Sequence, residues 1–316
     1  MATLTETFGP TTIIETETAP TRPWSADFLS RHNLYGYAYH KTQSKDYYPQ
    51  WKSQLSRNYI IKSELEKIGE DLKRESLDVC LLKGYSLMGA IYQDWGERFA
   101  SDVDLLIARE ELWKLTDILR MHGYNKKTEK KWLENQFKYV FSKKIDGESV
   151  IIEVHTQLFW HKPMQARANL MESHIDGLKV LDKENQLIHL CGNIGFQHTF
   201  DKLFWLVDIY KFVEKFHKQM DWQRFWKLAT EARLYKSCYM TLFLCQKLGL
   251  NIQLIVYKAP RKSVLSVWML KKLVSLQFLY NPQKYPLRQF VVQNLIKDSI
   301  GDNFVYWWAW LRSQKA

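Results

Sequence analysis

The sequence predicts an α+β protein, in which a mixed sheet with flanking helices is followed by an all-helical C-terminal domain. Three observations support this fold class. Two short apolar runs, at residues 79–82 and 103–107, are separated by segments with helical spacing. An Asp-Gly pair at 146–147 lies between two stretches of β-forming residues, which is a strong hairpin signal. From Glu184 onward the apolar residues recur with the period of a helix.

The composition indicates an ordinary globular protein. Of the 316 residues, 46% are hydrophobic and 25% are charged, which excludes a disordered or fibrous chain. The four cysteines form no Cys-x-x-Cys pair and lie among apolar residues, so we expect buried, reduced thiols rather than zinc ligands. Because no signal peptide or membrane-spanning run is recognisable, we expect a cytoplasmic protein without a transmembrane segment.

The N-terminal third begins with a segment of low core-forming potential. Residues 1–23 are rich in threonine, which predicts a disordered leader. A helix is expected further on, because four apolar residues share one helical face: Ile61, Leu65, Ile68 and Leu72. The run at 79–82 then predicts a strand that ends in a turn at Gly84. Ser86 is expected to cap the helix behind that turn.

The middle of the chain continues with alternating strand and helix signals. Residues 103–107 predict a second strand, and the apolar spacing after residue 112 predicts a helix that ends at Gly123. Residues 137–145 and 150–154 are expected to form the two arms of the hairpin.

The C-terminal half is expected to be helical throughout. Asp221 and Ser263 stand where helix N-caps are found, and Pro282 and Pro286 mark a break before the last two helices. We therefore expect three parts: a leader at 1–23, an α/β domain with N-terminal helices at 24–160, and a helical domain at 161–316.

The positive charge is concentrated near the C-terminus. The formal net charge is +11, and residues 251–316 hold ten basic residues against two acidic ones, Asp298 and Asp302. A basic region of this kind indicates a polyanionic partner, such as nucleic acid, an anionic membrane surface or a phosphorylated substrate.

Three carboxylates interrupt the predicted strands. Asp102 and Asp104 are two residues apart, so in a strand both side chains lie on the same face, and Glu153 stands in another apolar strand. Like charges in such places destabilise the fold unless a cation lies between them, and Mg²⁺ prefers carboxylate and phosphate oxygens. Together with the preceding glycine turn, the pattern predicts a two-metal phosphoryl-transfer site.

Several neighbouring residues are candidates for binding phosphate. Gly84 lets backbone N–H groups approach an anion, and the helix behind it adds partial positive charge. Lys83 and Arg98 can neutralise phosphate charge. Both also have structural alternatives, since Lys83 can end the strand and Arg98 can pair with one of the aspartates.

These motifs resemble those of the bacterial "uncharacterised nucleotidyltransferase" family of the polymerase-β-like nucleotidyltransferase superfamily. The matching residues, over about 55–215, are Leu82-Lys83-Gly84, Tyr92, Arg98, Asp102-Val103-Asp104-Leu105-Leu106, Gly123-Tyr124, Glu153-Val154-His155, His198 and Trp205-Leu206-Val207-Asp208. The resemblance implies a minimal polymerase-β-like nucleotidyltransferase sheet. It also implies transfer of a nucleoside monophosphate from an NTP to an acceptor, with release of pyrophosphate.

The resemblance further implies roles for individual residues. Catalysis and the binding of two Mg²⁺ ions, or of Mn²⁺, would fall to Asp102, Asp104 and Glu153. Nucleotide binding would fall to Lys83, Gly84, Ser86, Arg98 and Ser101. Acceptor-side candidates are His155, His198 and Asp208, although a packed His155 and a structural His198–Asp208 pair are the alternatives.

The chain departs from the superfamily pattern at one point. The superfamily has adjacent Gly and Ser in its first turn, whereas here Tyr85 stands between Gly84 and Ser86. This departure motivates a second hypothesis, a catalytically inactive nucleotidyltransferase-fold module that binds nucleic acid or nucleotide. A third hypothesis places the basic, aromatic C-terminal helices on an anionic membrane surface. The acceptor stays open between a small molecule, a peptide, a protein and an RNA.

Overall fold

A computed structural model describes residues 24–127, 138–159, 169–250, 264–304 and 307–308. The chain divides into two compact units. The sheet unit contains the described residues from Tyr48 to Asp182, and the helical unit contains those before Tyr48 and those from Lys183 to Trp307. The predicted leader and the predicted cap Ser263 lie outside the described residues.

The secondary structure elements are numbered in chain order. The helices include α1 (Ala26–His32), α2 (Tyr35–Thr42), α3 (Tyr48–Arg74), α4 (Lys83–Leu87), α5 (Leu112–Met121), α6 (Lys183–Cys191), α7 (Leu203–Phe216), α8 (Trp222–Glu231), α9 (Tyr235–Lys247), α10 (Val264–Leu273), α11 (Leu276–Tyr280) and α12 (Pro286–Leu295). The strands are β1 (Cys80–Leu82), β2 (Val103–Leu106), β3 (Asn125–Lys126), β4 (Lys138–Ile145), β5 (Glu148–His155), β6 (Leu170–Glu172) and β7 (Lys179–Leu181).

The seven strands form one mixed sheet, in the order β3-β4-β5-β2-β1-β7-β6. Strand β1 is antiparallel to β2 and parallel to β7, and β2 is parallel to β5. The predicted mixed sheet is therefore confirmed. Helix α3 packs on it through the four predicted apolar residues, which are all buried with the strand residues in one core.

The division between the units differs from the predicted boundary at residue 160. Strands β6 and β7 lie beyond that residue, and β7 pairs directly with β1 in the central part of the sheet. Each of these strands has only three residues, which is too short for an alternating pattern to stand out. Helices α1 and α2, expected in the α/β domain, belong to the helical unit.

Two local predictions in the sheet unit are confirmed. Asp146 and Gly147 both have positive φ, 49° and 84°, as a tight hairpin turn between β4 and β5 requires. Gly123 follows α5 with φ of 81°, and the Tyr124 N–H donates to the Leu119 carbonyl at 2.9 Å. This is the expected helix ending with glycine in the left-handed conformation.

The turn after β1 differs from the prediction. Helix α4 begins directly at Lys83, and Lys83 rather than Gly84 has the left-handed φ, 46°. Ser86 is inside this short helix, where its hydroxyl donates to the Lys83 carbonyl, so the prediction of Ser86 as N-cap is wrong. The helix starts three residues earlier than expected because the lysine itself makes the turn.

The helical unit confirms the predicted helical C-terminal half. Asp221 caps α8 by accepting hydrogen bonds from the Gln223 and Arg224 N–H groups, and Pro286 is the first residue of α12. A π-helical segment, Gly192–Gln197, continues α6. All four cysteines of the chain are buried and free. Within the described part of the chain, no helix has the length and apolar character needed to cross a membrane.

Candidate functional site

The strand register brings the predicted acidic residues together. Asp104 on β2 is paired with Leu82 of β1 on one side and with Glu153 of β5 on the other. Because β2 and β5 are parallel and in this register, the two carboxylates are neighbours on one face of the sheet. His155, two residues after Glu153, lies on the same face.

Asp104 is the centre of a cluster of charged side chains. Its Oδ1 atom lies 2.9 Å from the Lys83 ammonium and accepts a hydrogen bond from His155 Nε2 at 3.1 Å. The same His155 nitrogen is 3.7 Å from Glu153 Oε2, and the Lys138 ammonium is 2.6 Å from Glu153 Oε1. The Asp104 side chain is only 5% exposed, so these contacts are largely shielded from water.

The electrostatics of the cluster follow from burial and pairing. Burial alone would raise the pKa of Asp104 and Glu153, but the cations beside them, Lys83 and His155 for Asp104 and His155 and Lys138 for Glu153, hold both pKa values below their usual range. Burial likewise opposes protonation of His155, yet the two carboxylates raise its pKa. The site therefore keeps anionic carboxylates with cationic partners.

The donor set fits a divalent metal ion. Asp104, Glu153 and His155 each offer one ligand atom, and these atoms all lie within 4.8 Å of one another. Carboxylate oxygens suit Mg²⁺ and Mn²⁺, and the imidazole nitrogen suits Mn²⁺ better than Mg²⁺. His155 was predicted on the acceptor side, and the structure places it next to Asp104 and Glu153, the carboxylates predicted as metal ligands.

Asp102 lies just before β2, next to this cluster. Its carboxylate accepts a hydrogen bond from the Ser101 hydroxyl at 3.0 Å. Burial raises the pKa of Asp102, and the negative charge of Asp104 raises it further, while Lys83 opposes the shift. Asp102 therefore differs from Asp104: both lie in the charge cluster, but the nearby cations do not outweigh the effect of burial on Asp102.

Gly84 and Arg98 pack directly against each other. A Cβ atom at Gly84 would lie 3.2 Å from Arg98 Nη1, so the missing side chain makes room for the guanidinium group. Arg98 is buried and donates to the Phe99 carbonyl at 2.6 Å. The two predicted phosphate-binding residues are thus in contact, beside Lys83.

Helix α3 holds the loop that leads to Asp102, a role that the sequence did not indicate. Trp51 donates to the Asp94 carboxylate at 2.7 Å, Gln54 donates to the Gly96 carbonyl at 2.6 Å, and Arg57 donates to the Ser101 carbonyl at 2.8 Å. These partners are more than 40 residues apart in sequence, so no local pattern could have identified them.

Lys138 is another functional candidate that sequence reasoning missed. It stands opposite His155 in the β4–β5 ladder, and this register carries its ammonium to Glu153. The available signal was the Asp-Gly turn, because a two-residue turn fixes which residues of the two arms face each other.

His198 and Asp208 lie in the helical unit. His198 follows the π-helical segment and stacks on Trp205 with ring centroids 4.5 Å apart. Asp208 is fully buried on α7. Their predicted role on the acceptor side stays a prediction.

Two solved structures with low sequence identity are similar to part of this chain. One similar solved structure is the antibiotic-resistance factor ANT(2'')-Ia, with 14% identity and a TM-score of 0.34; the match covers 51% of this chain and 94% of that one. Another is an antigenic nucleotidyltransferase-like protein from Paracoccidioides brasiliensis, with 14% identity and a TM-score of 0.42, covering 64% of this chain and 94% of that one.

The decisive comparison is with protein families. No protein with a curated description matches the chain significantly. The profile of the family described as "uncharacterised nucleotidyltransferase" matches residues 24–249, which is most of the chain and includes every residue of the cluster around Asp104. The predicted resemblance is confirmed: this chain belongs to the uncharacterised nucleotidyltransferase family.

Proposed function

We propose that this protein is a metal-dependent nucleotidyltransferase, which moves a nucleoside monophosphate from an NTP to an acceptor and releases pyrophosphate. The observation that carries the proposal is the convergence of Asp104, Glu153 and His155 within 4.8 Å on two parallel strands. A group of this kind, with cations on both sides, matches a site for a metal–triphosphate complex.

The metal ligands of this proposal are Asp104 and Glu153, together with Asp102 at the start of β2. Mg²⁺, as two ions, is the proposed cofactor, and Mn²⁺ is the alternative that His155 favours as an added ligand. Bound there, the metal would neutralise triphosphate charge and lower the pKa of the attacking acceptor group. Lys83 and Lys138 hold the carboxylates in place until the ion compensates their charge.

The nucleotide would be bound at the turn between β1 and α4. The Lys83 ammonium group lies beside Asp104. Because Gly84 has no side chain, the Arg98 guanidinium can lie close to the same turn. Ser86 and Ser101 complete the proposed nucleotide contacts, from α4 and from the residue before Asp102. The Lys83 ammonium and the Arg98 guanidinium would balance the charge of the triphosphate and of the leaving pyrophosphate.

The experiment that tests this function is equilibrium binding of each NTP with and without Mg²⁺. We expect the double variant Asp102→Ala, Asp104→Ala to lose the Mg²⁺-dependent part of NTP binding, because both ligands of the metal–triphosphate complex are removed. The matched control is Asp117→Asn, an aspartate in the same unit that is 61% exposed and pairs only weakly with Arg120 at 3.4 Å. Unchanged Mg²⁺-dependent binding in the double variant would contradict the site assignment.

A second candidate function is binding of nucleic acid by a module that does not catalyse transfer. The observation in its favour is that the two acidic residues of the C-terminal region are engaged inside the helical unit. Asp298 accepts hydrogen bonds from the Tyr235 and Lys236 N–H groups, and Asp302 is buried beside Arg233. Both carboxylates therefore have partners within the helical unit, in a region where basic residues outnumber acidic ones.

The salt dependence of binding separates the two functions. Nucleic-acid binding through this region predicts an affinity for RNA or DNA that falls steeply between about 50 and 200 mM salt, with no pyrophosphate release from any NTP. Metal-dependent NTP binding without salt-sensitive nucleic-acid binding would leave only the transferase.

A further inference from the structure

Tyr85, the residue that departs from the superfamily pattern, is part of the packing beneath the proposed site. It is fully buried, and its hydroxyl donates to Asn58 Oδ1 at 2.9 Å. The inserted residue therefore ties the turn between β1 and α4 to helix α3. The Lys83 side chain leaves the same turn toward Asp104.

Asn58 uses the other end of its side chain to hold a second segment. Its Nδ2 group donates to the Trp95 carbonyl at 2.6 Å and to the Arg98 carbonyl at 3.0 Å. Asn58 is fully buried, so one amide group with three hydrogen bonds joins two separate segments in the core. A buried group of this kind specifies position strongly, because its loss leaves several polar groups without their partner.

The two segments that Asn58 joins meet at the proposed triphosphate site. One carries Lys83 and Gly84, the other carries Arg98 and continues to Asp102. They touch where Gly84 approaches the Arg98 guanidinium. The metal-ligating residues on β2 and β5, in contrast, are aligned by the strand ladder and do not depend on this contact.

We propose that Asn58 is a positioning residue for the triphosphate: with Tyr85, it fixes the turn that carries Lys83 relative to the loop that carries Arg98. This inference rests on the proposed function. It predicts that metal binding and triphosphate binding respond differently to loss of the Asn58 side-chain amide. A merely structural role would weaken both or neither.

The experiment measures two affinities in the full-length protein, that for Mn²⁺ alone and that for inorganic triphosphate with Mg²⁺. We expect Asn58→Leu to keep Mn²⁺ affinity within about twofold of the unaltered protein, while triphosphate affinity falls by about tenfold or more. Tyr85→Phe removes one hydrogen bond and keeps the ring, so we expect triphosphate affinity to fall by about threefold. This variant tests the proposal even if Asn58→Leu does not fold.

The matched control is Glu64→Gln. Glu64 is a buried polar residue on the same helix, and it pairs with Lys143 and Lys67, away from the Asn58 contacts. We expect this variant to lower the Tm and leave both affinities unchanged. The proposal is overturned if Asn58→Leu or Tyr85→Phe binds triphosphate as tightly as the unaltered protein, or loses Mn²⁺ in parallel. Failure of the unaltered protein to bind triphosphate with Mg²⁺ would instead contradict the proposed function itself.

Discussion

The two units of the protein both bury charged side chains, but they use them differently. In the helical unit two carboxylates satisfy helix ends: the half-buried Asp298 accepts from the first N–H groups of α9, and the buried Glu184 accepts from the Asp221 N–H at 2.8 Å. In the sheet unit Asp104 and Glu153 bond to no helix end. They face each other across two strands and are compensated by Lys83, Lys138 and His155.

The difference shows where to look for chemistry. A carboxylate that caps a helix is explained by the backbone N–H groups that it satisfies. Two carboxylates placed together on adjacent parallel strands gain nothing from the backbone, and their repulsion must be offset by cations. In this protein Lys83, Lys138 and His155 provide that compensation, and the same carboxylates and imidazole stand close enough together to offer three ligand atoms to a metal ion.

Two histidines, one in each unit, show the same contrast. His155 lies beside two carboxylates, which raise its pKa in spite of burial. His32 in the helical unit accepts from the Leu203 N–H at 3.3 Å and donates to the Tyr280 carbonyl at 2.9 Å, as a neutral imidazole does. Burial lowers the pKa of His32 to about 4.

The largest expected effect on stability comes from replacing a carboxylate, and it should differ between the two units. Asp104→Asn should lower the free energy of unfolding by at least about 3 kcal/mol, because two cations lose their buried partner, and Mn²⁺ should no longer raise the Tm. Asp298→Asn should cost only about 1 kcal/mol, and Mn²⁺ should still raise the Tm. Thermal unfolding of both variants with and without Mn²⁺ checks this. An equal response to Mn²⁺ would remove the distinction between the units.

The next effect concerns pH and His32. Its folded pKa, about 4, is below the unfolded value of 6.5, so the unfolded state takes up the proton first and stability falls as the pH falls through this range. Between pH 7 and pH 4.5, His32 alone should lower the free energy of unfolding by about 2.5 kcal/mol. Urea unfolding at both pH values should show a smaller loss for His32→Gln than for the unaltered protein. If the variant and the unaltered protein lost the same stability, the pKa of His32 would not be lowered in the folded protein.

The smallest expected effect comes from replacing one glycine in each unit, Gly147 in the hairpin turn of the sheet unit and Gly301 in the helical unit. Gly147→Ala should cost about 1 kcal/mol because φ there is 84°, although no described residue lies within 4 Å of the added Cβ. Among the described residues, the added Cβ of Gly301→Ala meets only Ser299 Oγ, at 3.8 Å, and φ there is not positive, so this variant should change stability by less than about 0.5 kcal/mol. Urea unfolding measures both. Equal losses of stability in the two variants would show that the positive φ at Gly147 does not make its replacement costly.

Much of the fold could be predicted because its signals are local. The Asp146-Gly147 turn, the end of α5 at Gly123 and the cap at Asp221 each depend on a few adjacent residues. The side chains of Asp104 and Glu153 could be assigned to strand faces by simple alternation. The turn at Lys83 could not, because a lysine with positive φ has no sequence signature and glycine was the expected residue.

The parts that could not be predicted depend on contacts between distant residues. The ladder of β7 beside β1 extends the sheet beyond the expected boundary, and Asn58 reaches two segments from a helix that shows only its apolar face in the sequence. Side-chain hydrogen bonds of this kind leave no periodic pattern, since one polar residue in a helix looks the same whether it is solvated or buried.

The sequence by itself determined the fold class, the family and the strands that carry the acidic residues, because hydrophobic periodicity and short motifs are properties of neighbouring residues. Only the tertiary structure decided which strands pair and in which register. That register placed His155 and Lys83 on Asp104 and Lys138 on Glu153, and so turned separate charges into one compensated cluster. Charge interactions act over a few ångströms of space, and folding alone determines which residues come that close.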